Sequence, residues 1–278
     1  MEKSNAWFWV IAVVITLVTV FYQKITGPTY PAKIKYTLEG KIYKLTLPRT
    51  HGGTTACPIT ISVADTAYKA ELLYRHYPGN EEWTSMKMQR TGELLTGNLP
   101  NQPPAGKLQY YVELTKADQK VEIAAEKPIV VRYKGDVPAA ILIPHVLFMF
   151  IAMLFSNLCG ALALGNRPAF RKYTYYTFAA LLIGGMILGP LVQKYAFGDL
   201  WTGVPFGYDL TDNKTLIAFI FFLVAVIGNI KKERKYLTII ASIVLIIVYS
   251  VPHSLYGSTL NTATGKVVQG WILFTGLF

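Results

Sequence analysis

Hydrophobic positions change period twice along the chain. Ala6–Tyr22 (AWFWVIAVVITLVTVFY) is a continuous apolar run of about 17 residues, the lower limit for crossing a bilayer as a helix. No small-x-small cleavage site follows it, since the next residues are Gln23, Lys24, Ile25 and Thr26. An uncleaved signal anchor over residues 1–27 is therefore expected. From Tyr30 to Tyr133 the apolar residues alternate: Ile34, Tyr36, Leu38; Ile42–Leu47; Ile59, Ile61, Val63; Ala70, Leu72, Tyr74; Met86, Met88; Leu108–Leu114; Val121, Ile123; Ile129–Tyr133. Turn signals separate them, among them Gly40-Lys41, Gly52-Gly53, Pro78-Gly79-Asn80, Thr91-Gly92, Gly97-Asn98 and Pro103–Gly106. That spacing predicts seven or eight short strands in an antiparallel β-sandwich over residues 28–136.

Four more apolar runs follow: Ala139–Leu164, Tyr173–Val192, Lys214–Ile230 and Tyr236–Val251. They predict a four-helix transmembrane domain over residues 137–253, and so five transmembrane helices in all. A tail, 254–278, is polar and small until Trp271–Phe278, which is apolar and too short to cross. The expected class is an α+β membrane protein.

Composition agrees, with 52% hydrophobic and only 15% charged residues, where a soluble domain carries about a quarter charged. The net charge of +11 does not point to nucleic acid, because the cations do not form one stripe. Arg167, Arg171 and Lys172 share one short connection; Lys231, Lys232, Arg234 and Lys235 share another. Such loops face the cytoplasm. The resulting topology has the N-terminus inside and the β-sandwich and C-terminus outside, in the periplasm of a bacterial inner membrane. Cys57 and Cys159 fall in different domains and belong to no CxxC motif, so both read as packing residues.

The candidate chemistry lies in the helices. His145 is inside an apolar run, and an ionisable residue there is a functional-site hypothesis. Topology puts it at the same depth as His253, and each follows a proline, Pro144 and Pro252. Two histidines on different helices are what one haem b needs, and they can equally flank a quinol head group. The alternative is structural, with each ring packing and its polar edge on a backbone carbonyl. His51 and His76 share no metal-ligand spacing.

The outer loop Gln193–Asn213 supplies Trp201, Phe206 and Tyr208, aromatic residues suited to a membrane–water interface, and Asp209. Thr211 or Asp212 is expected to cap the next helix. Asp199, Asp209 and Asp212 are candidates for a cation or proton site. Ala152, Ser156, Cys159 and Gly160 form a small, weakly polar helical stripe, as do Ser242, Ile246 and Tyr249. Gly185-x-x-x-Gly189 and Ala180-x-x-x-Gly184 permit close helix contact.

Leu99-Pro100 through Pro104-Ala105-Gly106 to Tyr110-Tyr111-Val112-Glu113-Leu114 resembles the penultimate strand of fibronectin type III and related immunoglobulin-like domains. The resemblance implies a partner-binding β-domain with Tyr110 or Tyr111 as its corner tyrosine. The anchor, sandwich and bundle order, with Trp201–Lys214 and Pro252-His253-Ser254, resembles an uncharacterised family of bacterial inner-membrane proteins, which brings no activity with it. No phosphate loop, HExxH or GxSxG motif is present. The expected function is a non-enzymatic accessory or scaffold subunit, with lipids and other envelope proteins as partners. The alternative is a small redox protein holding haem b or a quinol.

Overall fold

The computed structural model describes residues 6–252, 258–261, 264–265 and 267–268. His253 and Trp271–Phe278 lie outside the described residues. The chain is α+β and separates into a helical unit and a β unit.

The helical unit joins α1 (Ala6–Thr26) to α2 (Ala139–Leu164), α3 (Phe170–Leu181), a π-helical turn Leu182–Leu188, α4 (Gly189–Phe197), α5 (Leu210–Gly228) and α6 (Lys235–Ser250). Four stretches are long and apolar enough to cross a membrane: α1, α2, the continuous Phe170–Phe197 and α5. The fifth, α6, has 16 residues. It is about 24 Å long, against roughly 30 Å of bilayer hydrocarbon. The expected run Tyr173–Val192 extends at both ends, and the loop after it shrinks to residues 198–209. Two causes act there. Gly198 adopts a left-handed conformation (φ 100°) that stops α4, and Asp209 starts α5 earlier than Lys214.

α2 is the hub and packs against α1, α3 and α6. On α1, Ala12 is fully buried and Thr16 accepts a hydrogen bond from Asn157 Nδ2 at 2.9 Å. Trp9 meets the rings of Phe155 and Tyr173 edge-on. Between α2 and α6, the two weakly polar stripes face each other: Ser242 Oγ donates to the Ser156 carbonyl at 2.9 Å and lies 3.5 Å from Cys159 Sγ. One end of the unit gathers both basic connections. Arg171 donates to the Ile230 carbonyl (3.0 Å), Lys235 donates to Asn166, and Arg167 lies over the Phe8 ring.

The β unit places strands from separate sheets on one apolar core. Its larger sheet has the order β3 (Thr50–Gly52), β11 (Ile129–Lys134), β9 (Lys107–Lys116), β5 (Lys69–His76), β6 (Thr84–Lys87), with β10 (Gln119–Ile123) also on β9. β4 (Cys57–Ser62), β8 (Leu94–Leu99) and β7 (Gln89–Thr91) form another, and β1 (Ala32–Leu38) and β2 (Lys41–Leu47) a hairpin. Alternation sends Ile59 and Ile61 of β4, Leu72 of β5, and Leu108, Tyr110, Val112 and Leu114 of β9 into the core. At roughly 25 cal/mol per Å2, burial of these side chains dominates the unit's stability.

Gly97-Asn98, expected as a turn, lies inside β8, where Gly97 pairs with Ile59. The glycine serves a close approach: a β-carbon there would sit 3.0 Å from Leu72 Cδ2 and 3.1 Å from Met88 Cγ. Part of the expected tail also belongs to this unit. The Leu260 amide donates to the Ala105 carbonyl (3.0 Å), and β12 (Thr259–Leu260) pairs with β13 (Val267–Val268).

Candidate functional site

His145 occupies the second turn of α2, half-buried. Its Nδ1 lies 2.9 Å from the Gly184 carbonyl, and because a carbonyl only accepts, Nδ1 carries the proton. Gly184 lies in the π-helical turn Leu182–Leu188. There the Gly189 amide reaches back to the Gly184 carbonyl, five residues earlier, and Pro190, which follows, has no N–H to give. The Gly184 carbonyl thus receives both the ring and the backbone. The ring is half-buried with its polar edge on a backbone carbonyl. The second histidine of the expected pair, His253, is outside the described residues.

The loop 198–209 is built by side chains of α5. Asp209, one of the candidate residues, is the N-cap: its Oδ1 accepts from the Thr211 amide (2.8 Å) and the Asp212 amide (3.2 Å). Capping therefore falls to Asp209, not to Thr211 or Asp212. The φ of −56° and ψ of 125° at Asp209 leave its carboxylate where the first orphan amides point.

Asp212 turns back over the loop. Its Oδ2 accepts from the amides of Thr202 (2.7 Å) and Gly203 (3.1 Å) and from Thr202 Oγ1 (3.2 Å). Asn213 Oδ1 takes the Val204 amide at 2.7 Å, and Gln193 Nε2 donates to Thr202 Oγ1 at 2.6 Å. Trp201 is half-buried and donates Nε1–H to the Val204 carbonyl. Phe206 and Tyr208 project outward, 81% and 67% exposed. The loop is a held platform with two exposed rings. Asp199 is exposed, apart from these bonds. Among the described residues no three His, Cys, Asp or Glu side chains are grouped to hold a metal ion.

Sequence reasoning missed the polar interior beside this loop. Lys214, in the second turn of α5, is buried, and its Nζ donates to the Val251 carbonyl at 2.7 Å. With Gln23, Met149, Thr215 and Tyr249 it lines a cavity of about 10 Å3, room for one water at most. Tyr249 donates its hydroxyl proton to the Met149 carbonyl at 3.0 Å. Along the sequence Lys214 reads as the polar start of the run Lys214–Ile230, and Gln23 as the residue after the run Ala6–Tyr22. These side chains from four helices meet there only in three dimensions.

On the β unit, Tyr110 is the buried tyrosine and Tyr111 the partly exposed one. Burial pushes the Tyr110 hydroxyl above its ordinary range, and it donates to the Pro48 carbonyl at 2.8 Å. A tyrosine corner bonds to the backbone a few residues upstream. Tyr110 instead reaches across the core to the end of β2. Tyr111 meets Trp83 edge-on, 4.9 Å between centroids, and the Arg75 guanidinium lies 4.3 Å over the same indole. Arg75 Nη1 also donates to the Glu81 carbonyl, which folds the β5–β6 connection onto the sheet.

Compared with family models, curated proteins and solved structures, the chain matches none.

Proposed function

We propose that the chain is a non-enzymatic partner subunit of a membrane complex, anchored by its helices and presenting its β unit on the far side of the bilayer from the basic connections. One observation carries this reading: among the described residues, the polar side chains buried between the helices are used up on the protein itself. Polar groups there bond to one another or to backbone, as in Asn157–Thr16, Ser242–Ser156, Thr174–Thr238, Tyr249–Met149 and Lys214–Val251. The exceptions among the described residues are single atoms at helix contacts, Ser156 Oγ, Asn157 Oδ1 and Gln23 Nε2. The cavity that Lys214 and Tyr249 line, about 10 Å3, has no room for a haem or a quinol head group. Such an interior suits a scaffold.

The orientation is supported by the meeting of the two basic connections and the start of α1 at one end of the helical unit, the end that faces the cytoplasm by the distribution of charge. A β unit with several strands on one core, read here as an immunoglobulin-like sandwich, suits protein contact. Its Arg75–Trp83–Tyr111 cluster combines the residue types that dominate interface energies.

The test is blue-native electrophoresis of membranes solubilised in mild detergent. Migration well above the monomer is expected, shifting toward the monomer in Trp83→Ala with the melting temperature of the purified chain unchanged. A lone monomer from native membranes overturns the reading.

A further inference from the structure

We infer that the basic end of the helical unit is a binding surface for the phosphate head groups of anionic phospholipids. The inference needs the membrane embedding but not the partner-subunit reading.

Two connections about 60 residues apart in sequence form this end. The α2–α3 connection with the first turn of α3 carries three cations, and the α5–α6 connection with the first residue of α6 carries four, against one carboxylate, Glu233. That carboxylate already lies 4.0 Å from Arg171. Arg171 also bonds the Ile230 carbonyl, and Lys235 bonds Asn166, so like charges are held together across two loops instead of spreading apart. Buried Asn229 pins the second loop from inside, its Oδ1 accepting the Arg234 amide at 2.7 Å. Lys231 and Lys232 are exposed at its tip. Lys172 lies over the Tyr176 ring, 5.5 Å from its centroid, which keeps its ammonium at the rim. Gathering cations this closely is unfavourable without a counter-charge.

The surface below the cations identifies the class of counter-charge. Leu164, Ile227, Ile230 and Tyr236 are each more than half exposed, an apolar collar directly under the charged rim. Cations above and exposed aliphatic groups below match a lipid, whose phosphate and acyl chains are joined in the same order. A soluble polyanion or free phosphate would use the rim and leave the collar uncovered.

The experiment is native mass spectrometry of the full chain released from detergent, after titration with phosphatidylglycerol, phosphatidylcholine or inorganic phosphate. The unmodified chain is expected to retain phosphatidylglycerol in preference to phosphatidylcholine, and inorganic phosphate is expected not to displace it. The variant K172Q/K231Q/K232Q is expected to lose retention by on the order of tenfold or more. A charge-matched control on the β1–β2 hairpin, K35Q/K41Q/K44Q, is expected to retain lipid normally. Equal retention of the two lipids, displacement by inorganic phosphate, or equal loss in the control overturns the inference. So does full retention in the triple variant. Melting in detergent is read in parallel, and K231Q/K232Q, confined to one exposed loop, replaces the triple variant if that one unfolds.

Discussion

Gly160 of α2 and Ser242 of α6 meet so closely that a β-carbon on Gly160 would stand 2.8 Å from Ser242 Cβ. The contact brings the Ser242 hydroxyl to the Ser156 carbonyl and sets the spacing of the two helices. Lipid gives apolar side chains little reason to prefer one another, so helices that approach this closely rely on small residues and on bonds between them. Gly160→Leu is expected to force α2 and α6 apart and destabilise the chain by about 1–3 kcal/mol. Melting of the detergent-solubilised protein, followed by size-exclusion chromatography, reads the loss. The milder Gly160→Ala should be partly rescued by Ser242→Gly, and no rescue would place the clash elsewhere.

Lys214 is buried, its Nζ bonded to the Val251 carbonyl and within electrostatic reach of Asp209. Removing both the charge and its desolvation cost with a side chain of similar length is often neutral or stabilising. Lys214→Met is therefore expected to melt at or above the temperature of the unmodified chain. A marked fall in melting temperature would mean the ammonium is required for folding.

Asp209 and Asp212 have separable roles. Asp209→Ala removes an N-cap and is expected to cost about 1 kcal/mol, read as a lower melting temperature. Asp212→Ala leaves the amides of Thr202 and Gly203 without their acceptor. Hydrogen exchange at those two amides is expected to accelerate while α5 itself stays protected. Uniform acceleration across α5 would contradict this division.

His145→Ala breaks one hydrogen bond, to Gly184, at an expected cost of about 1 kcal/mol. If the histidine is structural, the purified chain shows no reduced-minus-oxidised α-band either before or after the substitution. A haem band lost with His145 would establish the redox alternative.

Lys107 of β9 is held at a pKa of about 8, first by burial and then by the neighbouring Arg132. Its Nζ donates to Thr259 Oγ1, where the C-terminal segment returns to the β unit. The unfolded chain titrates this lysine near 10.5 and so binds more protons than the folded one between pH 8 and 10.5. Stability from this group is therefore expected to rise with pH across that window, and to be flat below it. Lys107→Met should remove this contribution, seen as a shallower dependence of melting temperature on pH.

The apolar runs and the alternating stretches were legible along the chain because each reflects a local rule, helical length against bilayer thickness and period two against one buried face. Even the small stripes Ser156–Gly160 and Ser242–Tyr249 could be read, although nothing local said that they face each other. β8 was not legible: Gly97-Asn98 reads as a turn until Leu72 and Met88 from other strands crowd it. His145 meets the carbonyl of Gly184, in a π turn 39 residues further along the chain, and nothing near His145 in the sequence announces that partner. Lys214, Gln23 and Tyr249 stand near the ends of three separate apolar runs, where any polar residue passes for a boundary. Only the packing of those ends around one point makes them neighbours, because which side chains share a buried volume is a property of the assembled helices and not of any one of them.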